Sequence, residues 1–487
     1  MTFVSFVFFI FFITVLLLLK LVNILEKNRK IIRGKDIQHY ILVFASYIFY
    51  GWWDWRFCGL MLVITTIAFI AAKRIKKNKK DKFALVIGVV FPLIILGFFK
   101  YFNFFLGSFS KLFGIGNLGT LNIILPIGIS FYTFHALSYI LDVHRGKAKA
   151  TDKFIDLALY IAFFPQLVAG PIIKANDFMP QLDEEKNINT KSILEGMQIF
   201  VFGLAKKVII ADHLGLFVDD VFKNPNAYHS FTIILAVVAY SIQIYFDFSG
   251  YSDMAVGCAK CLGYRIPRNF NVPYISKNLT EFWKRWHISL STWLQEYLYI
   301  SLGGNRKGEI RTYVNLLVTM LLGGLWHGAH WNFVVWGFLH GIGLCVHKLY
   351  LRIRKPSAGG NAIVTIISIA ATYGYVCICW VFFRAATLQD SLVIINRIFI
   401  WQEGIIQPYS WSFVAIASIC IATVYAYMNG LKINKDSAGK RKIGVAEGYY
   451  PVMDLAKFAY LVIFIFVIGI IFGLAYTASN PFIYFQF

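Results

Sequence analysis

The sequence predicts an all-α, polytopic integral membrane protein with about eleven or twelve transmembrane helices and additional re-entrant or interfacial helices. Three observations predict it. The chain of 487 residues is 58% hydrophobic and 18% aromatic, and its mean hydropathy of +0.63 leaves too little polar side chain to cover a soluble domain of this length. Apolar stretches repeatedly approach or exceed the ~20 residues that a helix needs to cross the hydrocarbon core. Finally, the net charge of +22 is collected into short loops, Lys27–Lys35, Lys73–Lys82, Arg145–Lys153, Arg352–Lys355 and Lys432–Lys442. Basic loops between apolar spans are the positive-inside pattern, facing the cytoplasm and anionic lipid. No single basic face remains for nucleic acid, so nucleic-acid binding is not expected.

Read in order, the spans fall near 3–25, 38–54, 57–72, 83–106, 121–142, 155–172, 193–211, 229–249, 311–327, 330–351, 362–383, 411–429 and 454–476. The first, from Thr2 to Leu21, is too long and too apolar for a signal-peptide core and has no basic n-region, so it is expected to be retained. Alternation of basic and uncharged loops along the first five spans places the N-terminus outside. Phe164-Pro165-Gln166 and Gly170-Pro171 break one span. The block Pro267–Lys307 is too polar for a lipid-exposed span and too aromatic for a free loop. A re-entrant or interfacial helix against protein or water suits it. The seven cysteines, including the Cys258-Ala-Lys-Cys261 spacing, have no companion ligand pair and are expected to pack as small apolar residues. We expect one membrane-embedded domain over 1–487, with N-terminal helices to 120, a motif-bearing core at 121–350 and C-terminal helices at 351–487.

The candidate chemistry lies in two Trp-His pairs forty residues apart, Trp286-His287 and Trp326-His327. An imidazole where water is scarce costs free energy unless it has a partner or a task. His327 is flanked by Gly323-Gly324 and Gly328-Ala329, so backbone or a substrate can approach it closely. It suits a general base, and it suits equally a hydrogen bond across two helices. His287 follows Lys284 and Arg285; taken alone it suits a cap on the interfacial helix, and if it meets His327 in space it would orient that ring or the carbonyl. His330 and His340 lack a third ligand at helical spacing, so no metal site is expected. Asp247 and Asp253 end an apolar span and need a cation partner, for which Arg265, Arg268, Lys284 and Arg285 are in reach of the sequence.

Several runs resemble the membrane-bound O-acyltransferases. They are Leu125–Phe134, Phe163–Pro171, Phe246–Met254, Phe282–Ser291, Leu302-Gly-Gly-Asn305-Arg306, Gly324–Gly328 and Trp380–Ala385. The resemblance covers most of the chain in the expected order. The Phe-Pro-Gln-Leu-Val-Ala-Gly-Pro run is closer to the branch that O-acetylates alginate and other surface glycans than to the teichoic-acid D-alanylation branch. Gln295-Glu296, Ser301, His330 and His135 depart from that branch's usual residues, and Gln295 removes a fixed cation.

The resemblance implies helices around a central funnel, His327 as the catalytic histidine and His287 as the second motif histidine. Asp247, Asp253, Trp286, Trp326, Arg285 and Asn305 are the supporting candidates. It implies an O-acetyltransferase in the bacterial cytoplasmic membrane, with acetyl-CoA as acyl donor and no permanently bound cofactor. Its expected partners are the bilayer and an accessory extracellular acyltransferase of a polysaccharide-acetylation system. D-alanyl transfer and a non-enzymatic acyl or proton-coupled transporter are the alternatives.

Overall fold

The computed structural model describes residues 1–28, 34–116, 119–168, 170–353, 361–407 and 458–475. The expected span at 411–429, Cys420 and the Lys432–Lys442 loop lie outside them. The described residues are helical, and the one extended pairing among them is the bridge between Tyr228 and Ile405. Among the described residues, six helices are long and apolar enough to cross a membrane. The protein is an all-α, multi-pass membrane protein. The expected spans near 38–54, 193–211 and 311–327 are helices of lower hydropathy. They carry polar residues such as Gln38, His39, Gln198 and Asn315, each buried inside the protein rather than facing lipid.

The chain divides into two compact units, residues 1–200 with 251–267, and residues 201–250 with 268–487. In the first, α1 (Phe6–Lys27) is capped by the Ser5 hydroxyl, which accepts from the Phe8 N–H. It is followed by α2 (Gly34–Asp54), α3 (Arg56–Lys77) and α4 (Lys82–Leu96). The last continues through a π-helical turn at Gly97–Tyr101 into α5 (Phe102–Phe113). The span expected from 121 becomes helical only at Ile129, because Pro126 and Gly128 (φ 76°) precede α6 (Ile129–Arg145). The expected break appears as α7 (Phe154–Ala162) followed by the single turn α8 (Phe164–Leu167), with Pro165 at its start. The short helix α9 (Ala175–Asp183) then leads to α10 (Thr190–Ala205). Aromatic rings hold this unit together: Phe8 packs on Phe49 and Phe164 and stacks on Phe200 with centroids 5.9 Å apart.

In the second unit, a π-helical stretch Lys206–Ala211 leads into α11 (Asp212–Lys223), and then comes the 32-residue α12 (Ser230–Cys261), whose residues from Tyr251 on belong to the first unit. The block 267–307 is not a continuous helix. It forms α13 (Leu279–Trp283) and α14 (Ile288–Trp293), with a π-helical turn to Tyr299, and buries Phe282, Trp286, His287, Leu290 and Trp293. Then come α15 (Glu309–His327), α16 (Trp331–Ile353), α17 (Ala362–Arg384), α18 (Leu388–Phe399) and α19 (Phe458–Ala475).

The hairpin of α15 and α16 is packed backbone to backbone. A Cβ on Gly324 would collide with the Phe333 carbonyl, and one on Gly337 with the Met320 carbonyl. Such small-residue contacts are how helices associate tightly in lipid, where apolar burial drives little. Gly337→Val is therefore expected to lose roughly 2–3 kcal/mol, the cost of overpacking a tight contact. Gly374→Val, where a Cβ meets nothing within 4 Å, should leave the thermal midpoint of detergent-solubilised protein unchanged. Equal midpoints for both variants would show that the hairpin contact is not close.

Candidate active site

His327 is the last residue of α15 and His287 precedes the first turn of α14. Both belong to the second unit, and both are buried, at 6% and 0% exposure. Their ring centroids lie 6.4 Å apart at 57°. A centroid separation of that size keeps the ring nitrogens farther apart than the roughly 3 Å of a direct hydrogen bond.

Aromatic walls fix both rings. His327 meets Trp326, Trp336 and Phe383 edge-on with centroids 5.0, 5.0 and 5.1 Å away. His287 meets Phe248 of α12 at 4.6 Å and Trp326 at 5.9 Å. Trp326 thus touches both imidazoles. Water is excluded from such a setting, which strengthens every electrostatic interaction within it.

The backbone at His287 is left-handed, φ 43°, a conformation that costs a non-glycine residue roughly 1 kcal/mol. It is held from outside. The Ile288 N–H donates to the Asn269 carbonyl at 2.9 Å, and the Asn269 side-chain oxygen accepts from the Ser289 hydroxyl at 2.6 Å. Arg285 adds to the brace: its guanidinium donates to the Asn271 carbonyl and pairs with Glu281, 2.7 Å away. Trp286 packs between Phe270, Phe282 and Trp380, a layer behind the walls of the pair, since Phe270 touches Phe248 and Trp380 touches Phe383. Arg285 and Trp286 therefore support the turn from behind, whereas Trp326 faces the pair. Asn305 is exposed in the glycine-rich turn before α15 and is not gathered with the imidazoles.

Asp247 is buried on α12, next to the Phe248 that walls His287. The cation that faces it is Lys207, 2.7 Å away, whose ammonium also lies 2.7 Å from Asp212. This buried lysine from the π-helical stretch was not among the cations that the sequence nominated. Asp253 is buried further along the same helix, within the first unit. His330 accepts the Asn332 N–H and caps α16, while His340 is buried among Phe282, Trp283 and Trp336. Among the described residues no three His, Cys, Asp or Glu side chains converge as a metal site.

Sequence reasoning passed over Trp336, Phe383, Phe248, Lys207 and Asn269. Phe383 and Phe248 stand inside runs that carried the family resemblance, which was their available signal. The other three had none.

A helical membrane protein with two aromatic-walled histidines at the ends of short and long helices defines the class, and comparison with known proteins gives the family. Residues 129–388 match the membrane-bound O-acyltransferase family. The chain is 40% identical over 414 residues to the probable alginate O-acetylase of Pseudomonas aeruginosa, covering 82% of this chain and 78% of that one. It is 37% identical over 384 residues to the peptidoglycan O-acetyltransferase of Helicobacter pylori, covering 73% and 72%. With the teichoic acid D-alanyltransferase of Bacillus subtilis it shares 29% over 274 residues, covering 53% and 68%. The chain belongs to the membrane-bound O-acyltransferase family and is an O-acyltransferase.

The Lys207 triad gives a direct test of how the α12 wall is held. Lys207→Met leaves two buried carboxylates without their ammonium and is expected to cost about 3–5 kcal/mol. Adding Asp212→Asn and Asp247→Asn should recover most of that loss in a denaturation series. A triple variant as unstable as Lys207→Met alone would show that charge pairing is not what the lysine supplies.

Proposed function

We propose that the protein is an O-acetyltransferase that takes an acetyl group from a thioester on the cytoplasmic side and delivers it for O-acetylation of a cell-surface polysaccharide. The observation that carries the proposal is the buried, aromatic-walled pair His327 and His287 in a chain 37–40% identical to proteins named as O-acetylases. Acetyl-CoA is the proposed donor, a substrate rather than a resident cofactor. The bacterial cytoplasmic membrane is the proposed location, and its basic loops would draw the donor's phosphates.

In the proposed step, an acceptor hydroxyl oxygen attacks the thioester carbonyl carbon while its proton passes to the neutral His327 imidazole. The tetrahedral intermediate collapses with cleavage of the C–S bond. The His327 proton then leaves with the thiolate as thiol. His287, whose ring centroid lies 6.4 Å from that of His327, would orient it or donate to the developing oxyanion. The hydroxyl would belong to an accessory extracellular acyltransferase, which completes transfer to sugar, or to the glycan itself. Within this reading Trp326 and Trp336 exclude water, which protects the thioester from hydrolysis.

D-alanyl transfer has weaker support, because the likeness to the D-alanyltransferase is lower and covers only 53% of this chain.

Ester-linked acetate on surface polysaccharide tests the proposal, in cells holding equal membrane amounts of wild type, His327→Ala or His287→Ala. His327→Ala should fall to the level of cells lacking the protein, consistent with the ~10²–10⁴-fold worth of a general base. His287→Ala should lose part of it. Full acetylation with His327→Ala refutes the assignment, and D-alanine esters in place of acetate would move the protein to the other branch.

A further inference from the structure

The first unit contains a cavity of about 780 Å³ whose lining includes neither His287 nor His327. It opens where α3 and α6 end. On one side stand the last turn of α3, which carries Lys76, with Lys79 beyond it, and the chain from Gly146 to Asp152; on the other is α9. The turn after α6 is built by Gly146 (φ 73°), whose N–H closes on the Asp142 and Val143 carbonyls. The following Lys147 and Ala148 N–H groups fold back onto the Asp142 carbonyl. The Lys79 ammonium lies over this turn, 3.7 Å from where a Gly146 Cβ would stand.

The polar groups of the cavity are sorted by sign. Asp152 is committed to Lys76 at 2.7 Å, and that ammonium holds the Asp152 carboxyl below its ordinary range. Asp156 is committed to His39 at 2.9 Å. Lys79 and Lys149, by contrast, make no ion pair or hydrogen bond among the described residues, so the α3 side of the cavity keeps uncommitted positive charge. The α9 side presents acceptors: the Asn176 side-chain oxygen is buried with no partner among the described residues, and Asp183 closes the helix. Ile75, Val143, Met179 and Leu182 supply apolar wall.

We propose that this cavity binds the headgroup of a membrane phospholipid: a phosphodiester whose oxygens face Lys79 and Lys149, with a hydroxyl or ammonium donor that reaches Asn176 and Asp183. Ethanolamine and glycerol headgroups have both parts. Choline has the phosphate but no donor, and would leave the Asn176 oxygen unsatisfied. The lipid source is favoured because the walls combine apolar side chains with lysines from loops that the charge pattern places at the anionic leaflet. The volume falls within the range of built small-ligand sites.

Native mass spectrometry of the full chain in detergent, titrated with phosphatidylethanolamine, phosphatidylglycerol and phosphatidylcholine of equal acyl length, tests this. The first two should be retained over phosphatidylcholine. Lys79→Gln with Lys149→Gln should weaken them by about fivefold per lysine. Asn176→Ala with Asp183→Ala should abolish the preference over phosphatidylcholine while phosphate-dependent binding persists. Lys77→Gln with Lys80→Gln, outside the cavity, should change neither. Equal retention of all three lipids by wild type overturns the proposal. So does an equal loss in the Lys77 and Lys80 control, which would reduce the effect to surface charge. Displacement of bound lipid by adenosine 3′,5′-bisphosphate would assign the phosphate chemistry to a nucleotide and overturn the lipid source.

Discussion

Two imidazoles 6.4 Å apart and almost entirely buried are the constraint on which the second unit depends. Neither ring can be left to find its own place, because a polar ring without defined surroundings in an apolar interior is costly. The protein fixes them by different means. His327 is carried at the end of a long helix whose position is set by backbone contact with α16 through Gly324 and Gly337. His287 sits on a left-handed residue between two short helices, with Asn269 hydrogen-bonded to both residues that follow it. Rigid elements and braced turns are what a site needs when its geometry must hold within a fraction of an ångström.

The aromatic wall joins these devices to the rest of the unit. Phe248, against His287, follows directly after Asp247, and Asp247 is tied to Lys207 and through it to Asp212. A buried ion triad is weak evidence for net stability, since desolvation offsets much of its attraction. Its value here is positional: it ties α12, one residue from Phe248, to the π-helical stretch and the start of α11. On the other side, Trp336 of α16 lies against both His327 and Phe383 of α17. Three long helices therefore bring aromatic rings onto the pair.

The helical membrane class was legible because hydrophobicity and the distribution of lysine and arginine are one-dimensional properties. So was the break around Pro165, where proline chemistry acts locally. The two histidines stood out because a titratable ring in an apolar run is rare enough to notice. What remained hidden depended on distance in space. Lys207 meets Asp247 from another helix, and nearer arginines offered a simpler pairing. Trp336 was masked by abundance, since in a chain that is 18% aromatic no single ring is conspicuous. Spans such as 311–327 were legible despite buried polar residues such as Asn315, which lower the hydropathy of a helix without changing its fold.

The central claim is that His287 and His327 act as one catalytic unit. A double-mutant cycle on the purified protein, reading acetyl transfer from acetyl-CoA to a hydroxyl acceptor, tests it most directly. If the two imidazoles share one step, the His287→Ala, His327→Ala double variant will be no slower than His327→Ala alone. If the two losses multiply, the histidines act independently, and the pair is not the unit that its geometry describes.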